Sequence, residues 1–483
     1  MADTQIAPPP LATFSEALRA QLGSSAMIDD AAAMAPYLKE WRDLYRGVTP
    51  FVLRPANTQD VSTIVRLADQ FGVKIIPQGG NTGLVGGQIP TETGDEVLIS
   101  LDRMNEIEEV DAAGNTMLVG SGVILADVQA AAEDADRLFP MSLASEGSAR
   151  IGGLISTNAG GTGVLAYGNM RDQVLGLEVV MPNGEIWNGL RALHKDNVGY
   201  DLKHLFIGGE GTLGIITRAV LRLRPRPVGR DVAFVGLSSP AAALKLLNDV
   251  RGTMGDALTA FELIPKMGVE FVLEYGTGAR NPFLEPLCDW TVLIEVSTYQ
   301  ADRPMRDPLQ DVLMNAYENG TVSDVVVAQS IADGDAFWRI RDLLSEVQGH
   351  AGGSIKHDVS VPVHLIPEFL DDAIAAALSV VPDARPLPFG HMGDGNIHFN
   401  VSQPVGADKA EFLSHWDEMA SAVHAVTGRY NGSIAAEHGV GRLKRNLLRD
   451  VRSPVELAMM RAVKVAFDPK GIMSPGRLLP DAN

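Results

Sequence analysis

The sequence predicts an α+β protein of two or more domains, on three observations. Its 483 residues exceed one ordinary core, at roughly 100–200 residues per domain. Helical and strand periods alternate along the chain without an internal repeat. A glycine-rich texture gives way near Pro225 to helices and strands, then returns with histidines at Gly390–Asn400 and Ala435–Gly441. Composition narrows the class. A hydrophobic share of 46% against 21% charged residues belongs to a folded globular chain. Lys and Arg number 40 against 60 Asp and Glu, and the net charge of −20 argues against nucleic acid and anionic membrane as partners. An anionic substrate would then need a local cluster of positive charge. The one cysteine, Cys288, excludes a disulfide framework and a thiolate zinc site.

Met1–Pro10 lacks a basic, apolar leader and reads as a frayed tail. Phe14–Leu22 has the pattern of a short amphipathic helix, and a linker leads on to Pro50. Across Thr58–Val73 the residues Val61, Ile64, Val65, Leu67 and Ala68 recur at helical spacing, with Thr58 as the cap. Val73–Pro77, Val97–Leu101 and Thr116–Val119 read as strands, and Leu125–Ala135 as a helix. Ile151–Met170 carries no charge, yet its Gly, Ser, Thr and Asn residues read as loop and not as a lipid-facing helix. Val174–Met181 and Glu185–Asn188 flank Pro182-Asn183-Gly184 as a hairpin. Past Pro225, helices at Pro240–Met254 and Pro304–Asn319 alternate with strands at Trp290–Val296 and Val325–Ala328.

Two glycine runs carry the first chemical signal. Gln78–Gly87 packs five glycines and one Asn into ten residues between two strands. Such a loop can turn successive backbone N–H groups toward one point, a nest for a pyrophosphate. Gly147–Gly163 has the same character, with hydroxyls and an amide added. One such loop alone is most simply a tight turn; two in one domain bring a phosphate-bearing cofactor level with that reading. Gly209-Glu210-Gly211-Thr212-Leu213-Gly214 matches a dinucleotide fingerprint, but Ile215–Leu223 alternates like a strand where the fingerprint needs a helix. It is rejected as a Rossmann signal.

The second signal is a cluster of histidine and carboxylate. In Gly390–Val401, Ile397, Phe399 and Val401 alternate on one face, which places His398 and Asn400 on the other. The Gly393–Gly395 turn folds His391 back beside His398, and Glu437-His438-Gly439 offers a carboxylate and a further imidazole. Two imidazoles and a carboxylate suit catalytic zinc with an open position, or non-haem iron. A surface pair or a core hydrogen bond is the plainer alternative. Between these motifs, Arg341 and Ser345 share a helix face, and Lys356 and Asp358 share a strand face. Arg and Lys are what a carboxylate substrate would need on so acidic a chain; each taken alone would be a solvated surface charge.

Pro77–Gly87, Gly152–Gly163, Gly208–Gly214, Gly390–Asn400 and Glu437–Arg442 follow one another in a single order, and that order resembles the FAD-linked D-2-hydroxyacid dehydrogenases of the vanillyl-alcohol oxidase type. The likeness runs from about residue 40 onward and is greatest to members that oxidise D-2-hydroxyglutarate. Arg341, Lys356 and Asn400 carry that last step. D-lactate members of the family have a small residue where Lys356 stands, and Ser345 replaces a usual Thr while keeping the hydroxyl. The resemblance implies a two-subdomain FAD-binding domain of the vanillyl-alcohol oxidase type and an α+β substrate (cap) domain with an antiparallel sheet. The expected divisions are 1–45, an N-terminal tail and helix; 46–225, the FAD-binding domain; 226–430, the substrate and metal domain; and 431–483, a segment closing the FAD site.

Residue by residue, the resemblance implies that His391, His398 and Glu437 ligate Zn²⁺ or another divalent metal, and that His438 is the catalytic base. Arg341, Ser345, Lys356 and Asn400 match substrate-binding positions. FAD falls to Pro77, Gln78, Gly79, Gly80, Asn81, Thr82, Gly83, Gly86 and Gly87 in the first loop. It falls to Ser145, Gly152, Gly153, Ser156, Thr157, Asn158, Gly160 and Gly161 around the second, and to Gly211, Gly214 and Ile215 in the third. Neither of the first two loops has a His or Cys at a flavin-linking place, so FAD is expected to be noncovalent. The expected partners are a D-2-hydroxy dicarboxylate, an electron-transfer flavoprotein as acceptor and a second copy in a homodimer, in the cytoplasm, with no membrane span. The rivals are a D-lactate or D-malate dehydrogenase of the same family, a zinc hydrolase that leaves the glycine loops without work, and a non-catalytic flavin carrier that leaves the His and Glu cluster without work.

Overall fold

The computed structural model describes residues 9–283 and 286–481. Most of the expected tail lies outside them, and at its end Pro9 already opens the first helix, Pro9–Leu22. The chain divides into two compact units. Residues 9–161, 169–225 and 437–481 form the first; residues 162–168, 226–283 and 286–436 form the second.

The first unit holds two sheets. Four strands lie in the order Met27–Ile28, Val52–Leu53, Glu96–Ser100, Lys74–Gln78, the last three parallel. Helix Thr58–Phe71 buries Val61, Ile64, Val65, Leu67 and Ala68, the stripe its sequence predicts. Its cap is Asn57 and not Thr58: the Asn57 carboxamide oxygen accepts from the Asp60 N–H at 2.9 Å, while the Thr58 hydroxyl donates to Glu178. The expected linker before Pro50 is also partly folded. Met27–Ile28 joins the sheet and Asp30 caps a short helix, Ala31–Met34, pieces too short to show a period. The second sheet is antiparallel, in the order Ile107–Asp111, Thr116–Gly120, Ile215–Arg222, Val174–Val180, Ile186–Gly189. Ile215–Arg222 is thus the strand that removes the Rossmann reading.

The uncharged stretch 151–170 is not all loop. It forms helices Ile151–Thr157 and Val164–Tyr167 and begins a third, Met170–Gln173. Ile151, Leu154 and Ile155 bury one face, and Gly152 lets that helix approach so closely that a Cβ would stand 2.7 Å from the Ser121 Cβ. Among the described residues no helix is long and apolar enough to cross a membrane.

Within the first unit, residues 437–481 pack back on the four-stranded sheet. The Ile75 N–H donates to the Ile472 carbonyl at 2.9 Å, and the Ser474 N–H to the Ile75 carbonyl at 3.0 Å. Arg477 grips Glu96 with both nitrogens, at 2.6 and 2.9 Å, and both side chains are buried.

The second unit is a seven-stranded antiparallel sheet with helices on both faces. Its order is Asp324–Val327, Gly229–Leu237, Trp290–Thr298, Leu258–Pro265, Arg385–His391, Asn396–Ser402, Ser354–Ser360. One face packs Ile397, Phe399 and Val401 under Pro240–Met254 and Ile366–Val380. The opposite face packs Leu387 and Phe389 under Lys266–Tyr275 and Ile331–Val347. Residues 162–168 join this unit because Leu165 lies against Gly393 with no room for a Cβ there, 2.6 Å away.

Candidate functional site

In the first unit the glycine loops line an open cleft. The first loop lines it from Pro77 to Gly83 and at Gly87, the second at Gly152, Gly153, Ser156 and Thr157, the third at Gly211, Gly214 and Ile215, with His438 on the same wall. The loops meet so closely that a Cβ on Gly80 would stand 1.9 Å from the Ser148 carbonyl oxygen. Gly153 has nothing within 4 Å of its Cβ position, so its backbone is open to a ligand. Walls of bare backbone amide along such a cleft fit the phosphates of a dinucleotide such as FAD.

Five other expected positions do not line the cavity. At Gly86 (φ +70°) a Cβ would stand 2.5 Å from the Tyr45 ring, and at Gly161 (φ +142°) it would stand 2.2 Å from the Ser142 carbonyl oxygen. Asn158 ends its helix in the left-handed region and accepts from the Arg171 N–H. The Ser145 carbonyl closes a turn onto Ser148 and Ala149, and Gly160 is buried. The cavity also has lining residues that sequence reasoning missed, notably Gln88, Leu101, Arg150 and Glu210. Glu210 accepts from the backbone N–H groups of Val440 and Gly441 at 2.7 and 2.8 Å, tying the third loop to the turn that carries His438. Desolvation pushes its carboxyl up, against those two donors.

In the second unit the strand register gathers Lys356, Asn400, His391 and His398 on one sheet face. Lys356 stands opposite Asn400, Asp358 opposite His398, Phe389 opposite His398, and Glu262 opposite His391. The turn after His391 does fold it back: the His391 and His398 rings lie 5.4 Å apart, edge to face. Helix Ile331–Val347 lays Arg341 over the Phe389 ring at 5.3 Å. The Arg341 Nε donates to Glu262 at 2.6 Å, and its Nη2 meets His391 Nε2 at 3.3 Å. Lys356 Nζ donates to the Ser345 carbonyl at 3.3 Å, and the Asn400 amide to Gln348 at 3.0 Å. Ser345 itself is exposed and Asn400 buried.

The donor chemistry suits a divalent metal. A guanidinium only donates, so His391 Nε2 is the nitrogen with the lone pair, and its Nδ1–H faces Glu262 at 2.7 Å. His398 has Asp358 behind its Nδ1 at 3.9 Å. Sequence reasoning missed Glu262, and its signal is a lone carboxylate in the apolar run Leu258–Pro265, every residue of which is buried.

A family model described as FAD linked oxidases, C-terminal domain, matches residues 226–478, and one described as FAD binding domain matches residues 49–189. The chain belongs to the FAD-linked oxidases. This family member is 37% identical over 459 residues to a mitochondrial D-2-hydroxyglutarate dehydrogenase of Arabidopsis thaliana, covering 95% of this chain and 80% of the relative. A D-2-hydroxyglutarate dehydrogenase of Stutzerimonas stutzeri is 36% identical over 452 residues, 94% of this chain and 96% of its own. Among solved structures, p-cresol methylhydroxylase with substrate bound superposes with a TM-score of 0.76 at 16% identity, covering 99% of this chain and 98% of that one. The 4-ethylphenol oxidase of Gulosibacter chungangensis gives 0.75 at 18% identity, covering 99% of both. The fold of this FAD-linked oxidase is therefore of the vanillyl-alcohol oxidase type, as the sequence motifs predict.

The closeness of the two loops yields a first test. Gly80→Ala must push the Ser148 carbonyl away, so the variant is expected to lose most of its flavin while its far-ultraviolet spectrum is unchanged. A full flavin absorbance would show that the loops yield without consequence.

Proposed function

We propose that this FAD-linked oxidase oxidises D-2-hydroxyglutarate to 2-oxoglutarate. The observation that carries the reading is the single sheet face on which Lys356, Asn400, His391 and His398 stand beneath Arg341. It puts two cations and two imidazoles at one place in a chain of net charge −20, and the relatives described above are named for that substrate.

The loop amides of residues 78–83 and 152–157 would hold the cofactor's phosphates without a covalent link. FAD, when bound, would supply the acceptor for the hydride that leaves C2 of the substrate. A divalent ion, Zn²⁺ in the first instance, would be held by His391 and His398 with Glu437 as the third ligand, and would supply Lewis acidity that lowers the pKa of the 2-hydroxyl. Glu437 follows Ala436, whose N–H donates to the Asp358 carbonyl at 3.4 Å. His438 removes the proton of the 2-hydroxyl as C2 becomes the carbonyl carbon. Arg341 and Lys356 take the remote carboxylate, and Asn400 and Ser345 add neutral hydrogen bonds that fix the substrate's orientation.

The direct test is colour. The protein is expected to be yellow, to bleach without oxygen on addition of D-2-hydroxyglutarate, and to release its flavin intact in acid. A protein that takes up no FAD ends the reading, and flavin that stays with the precipitated chain ends only the noncovalent part. The cytoplasmic compartment, the electron-transfer flavoprotein acceptor and the homodimer belong to the same proposal and rest on the sequence. Cell fractionation, assays with a purified electron-transfer flavoprotein and sedimentation check them in turn.

A further inference from the structure

Leu258–Pro265 crosses the middle of the seven-stranded sheet with every residue buried, and Glu262 is its one charge. A carboxylate placed there is costly unless its oxygens are met. Both are. Oε1 faces His391 Nδ1 at 2.7 Å, and Oε2 accepts from Arg341 Nε at 2.6 Å. The third side of the triangle is the contact of Arg341 Nη2 with His391 Nε2 at 3.3 Å. One carboxylate thus touches the imidazole read above as a metal ligand and the guanidinium read above as a substrate anchor.

We propose that Glu262 is a positioning residue for both halves of the site: it fixes the His391 tautomer whose Nε2 can take a metal, and it aims Arg341 at the remote carboxylate of the substrate. The inference rests on the proposed function, in which His391 is a ligand and Arg341 binds the substrate. A neutral amide cannot perform both tasks. The Glu262→Gln oxygen accepts from one donor, while its NH₂ group confronts the other. A carboxylate behind a metal-bound imidazole commonly accounts for about 10- to 100-fold in metal affinity. The Arg341 half is separate, because it acts on substrates with a second carboxylate and leaves D-lactate untouched.

The experiment uses the full chain loaded with FAD. Zn²⁺ affinity is measured by competition with a coloured chelator, and KM is measured for D-2-hydroxyglutarate and D-lactate at saturating Zn²⁺. Glu262→Gln is expected to weaken Zn²⁺ about 10- to 100-fold. At saturating metal it should raise KM for D-2-hydroxyglutarate at least tenfold while leaving D-lactate within about threefold, the difference expected of one lost charged contact. A purely structural glutamate would lower the melting temperature and move neither readout. If the Gln variant does not fold, Glu262→Asp replaces it: a shorter carboxylate that restores part of both values against a Glu262→Ala baseline supports the role, and one that restores neither overturns it. His391→Ala separates the two levels. Should it lose Zn²⁺ while Glu262→Gln keeps wild-type affinity and KM values, the dual role is overturned and the proposed function stands. Should His391→Ala bind Zn²⁺ as well as the unaltered protein, the metal reading falls and this inference with it. A change in only one of the two Glu262→Gln readouts overturns the dual role.

Discussion

His391→Ala, His398→Ala and Glu437→Ala are each expected to lose bound metal and at least about a thousandfold in kcat, because metal assistance and the proton transfer it makes feasible disappear together. His438→Ala should fall by about 10²–10⁴ in kcat, the usual range for a general base, while keeping its metal. Metal analysis beside single-turnover flavin reduction separates the two classes. The division of labour has a structural basis: the His391 Nε2 lone pair is defined by its neighbours in the second unit, whereas His438 lies on the wall of the cofactor cavity in the first. Equal metal loss in all four variants would make His438 a ligand and leave the proton without an acceptor.

Lys356→Ala is expected to erase most of the preference for dicarboxylates. In the unaltered protein kcat/KM for D-2-hydroxyglutarate should exceed that for D-lactate by several orders of magnitude, with D-malate, one methylene shorter, between them. Removing one charged partner of a bound carboxylate costs about 2–4 kcal/mol, or roughly 30- to 1,000-fold at about 1.4 kcal/mol per tenfold. The Lys356 ammonium stands opposite Asn400 on the imidazole face and is steadied by the Ser345 carbonyl. D-lactate, with nothing for it to bind, should change by no more than a few-fold. If all three substrates slow by the same factor, Lys356 is structural and the dicarboxylate assignment loses its main support. An outright preference for D-lactate would return the protein to a D-2-hydroxyacid dehydrogenase of another specificity.

How far these sites could be read from the sequence depended on how local their signals were. Pro240–Met254 is legible because Ser239 caps it, Pro240 opens it and Gly255 ends it. The placing of His398 with Asn400, opposite Ile397, Phe399 and Val401, follows from strand alternation alone. Glu262 lies 129 residues before His391, and no local pattern announces which distant strand will pair with its own. Its one trace is a charge in an otherwise apolar run. Asn57 was passed over in favour of Thr58 because either residue can cap, and only the side-chain direction decides. Val164–Tyr167 read as part of a glycine loop because four residues are too few for a period, and its place in the second unit comes from Leu165 meeting Gly393.

The grip of Arg477 on Glu96, and the pairing of Ile75 with the backbone at Ile472 and Ser474, set an order of events during synthesis on the ribosome. Glu96 emerges early and waits without its Arg477 partner while all of residues 226–436 are translated. That stretch is continuous apart from residues 162–168, so the second unit can fold while the first is still missing an edge. The nascent first unit therefore keeps an open sheet margin at Ile75 until residues 472–474 are made.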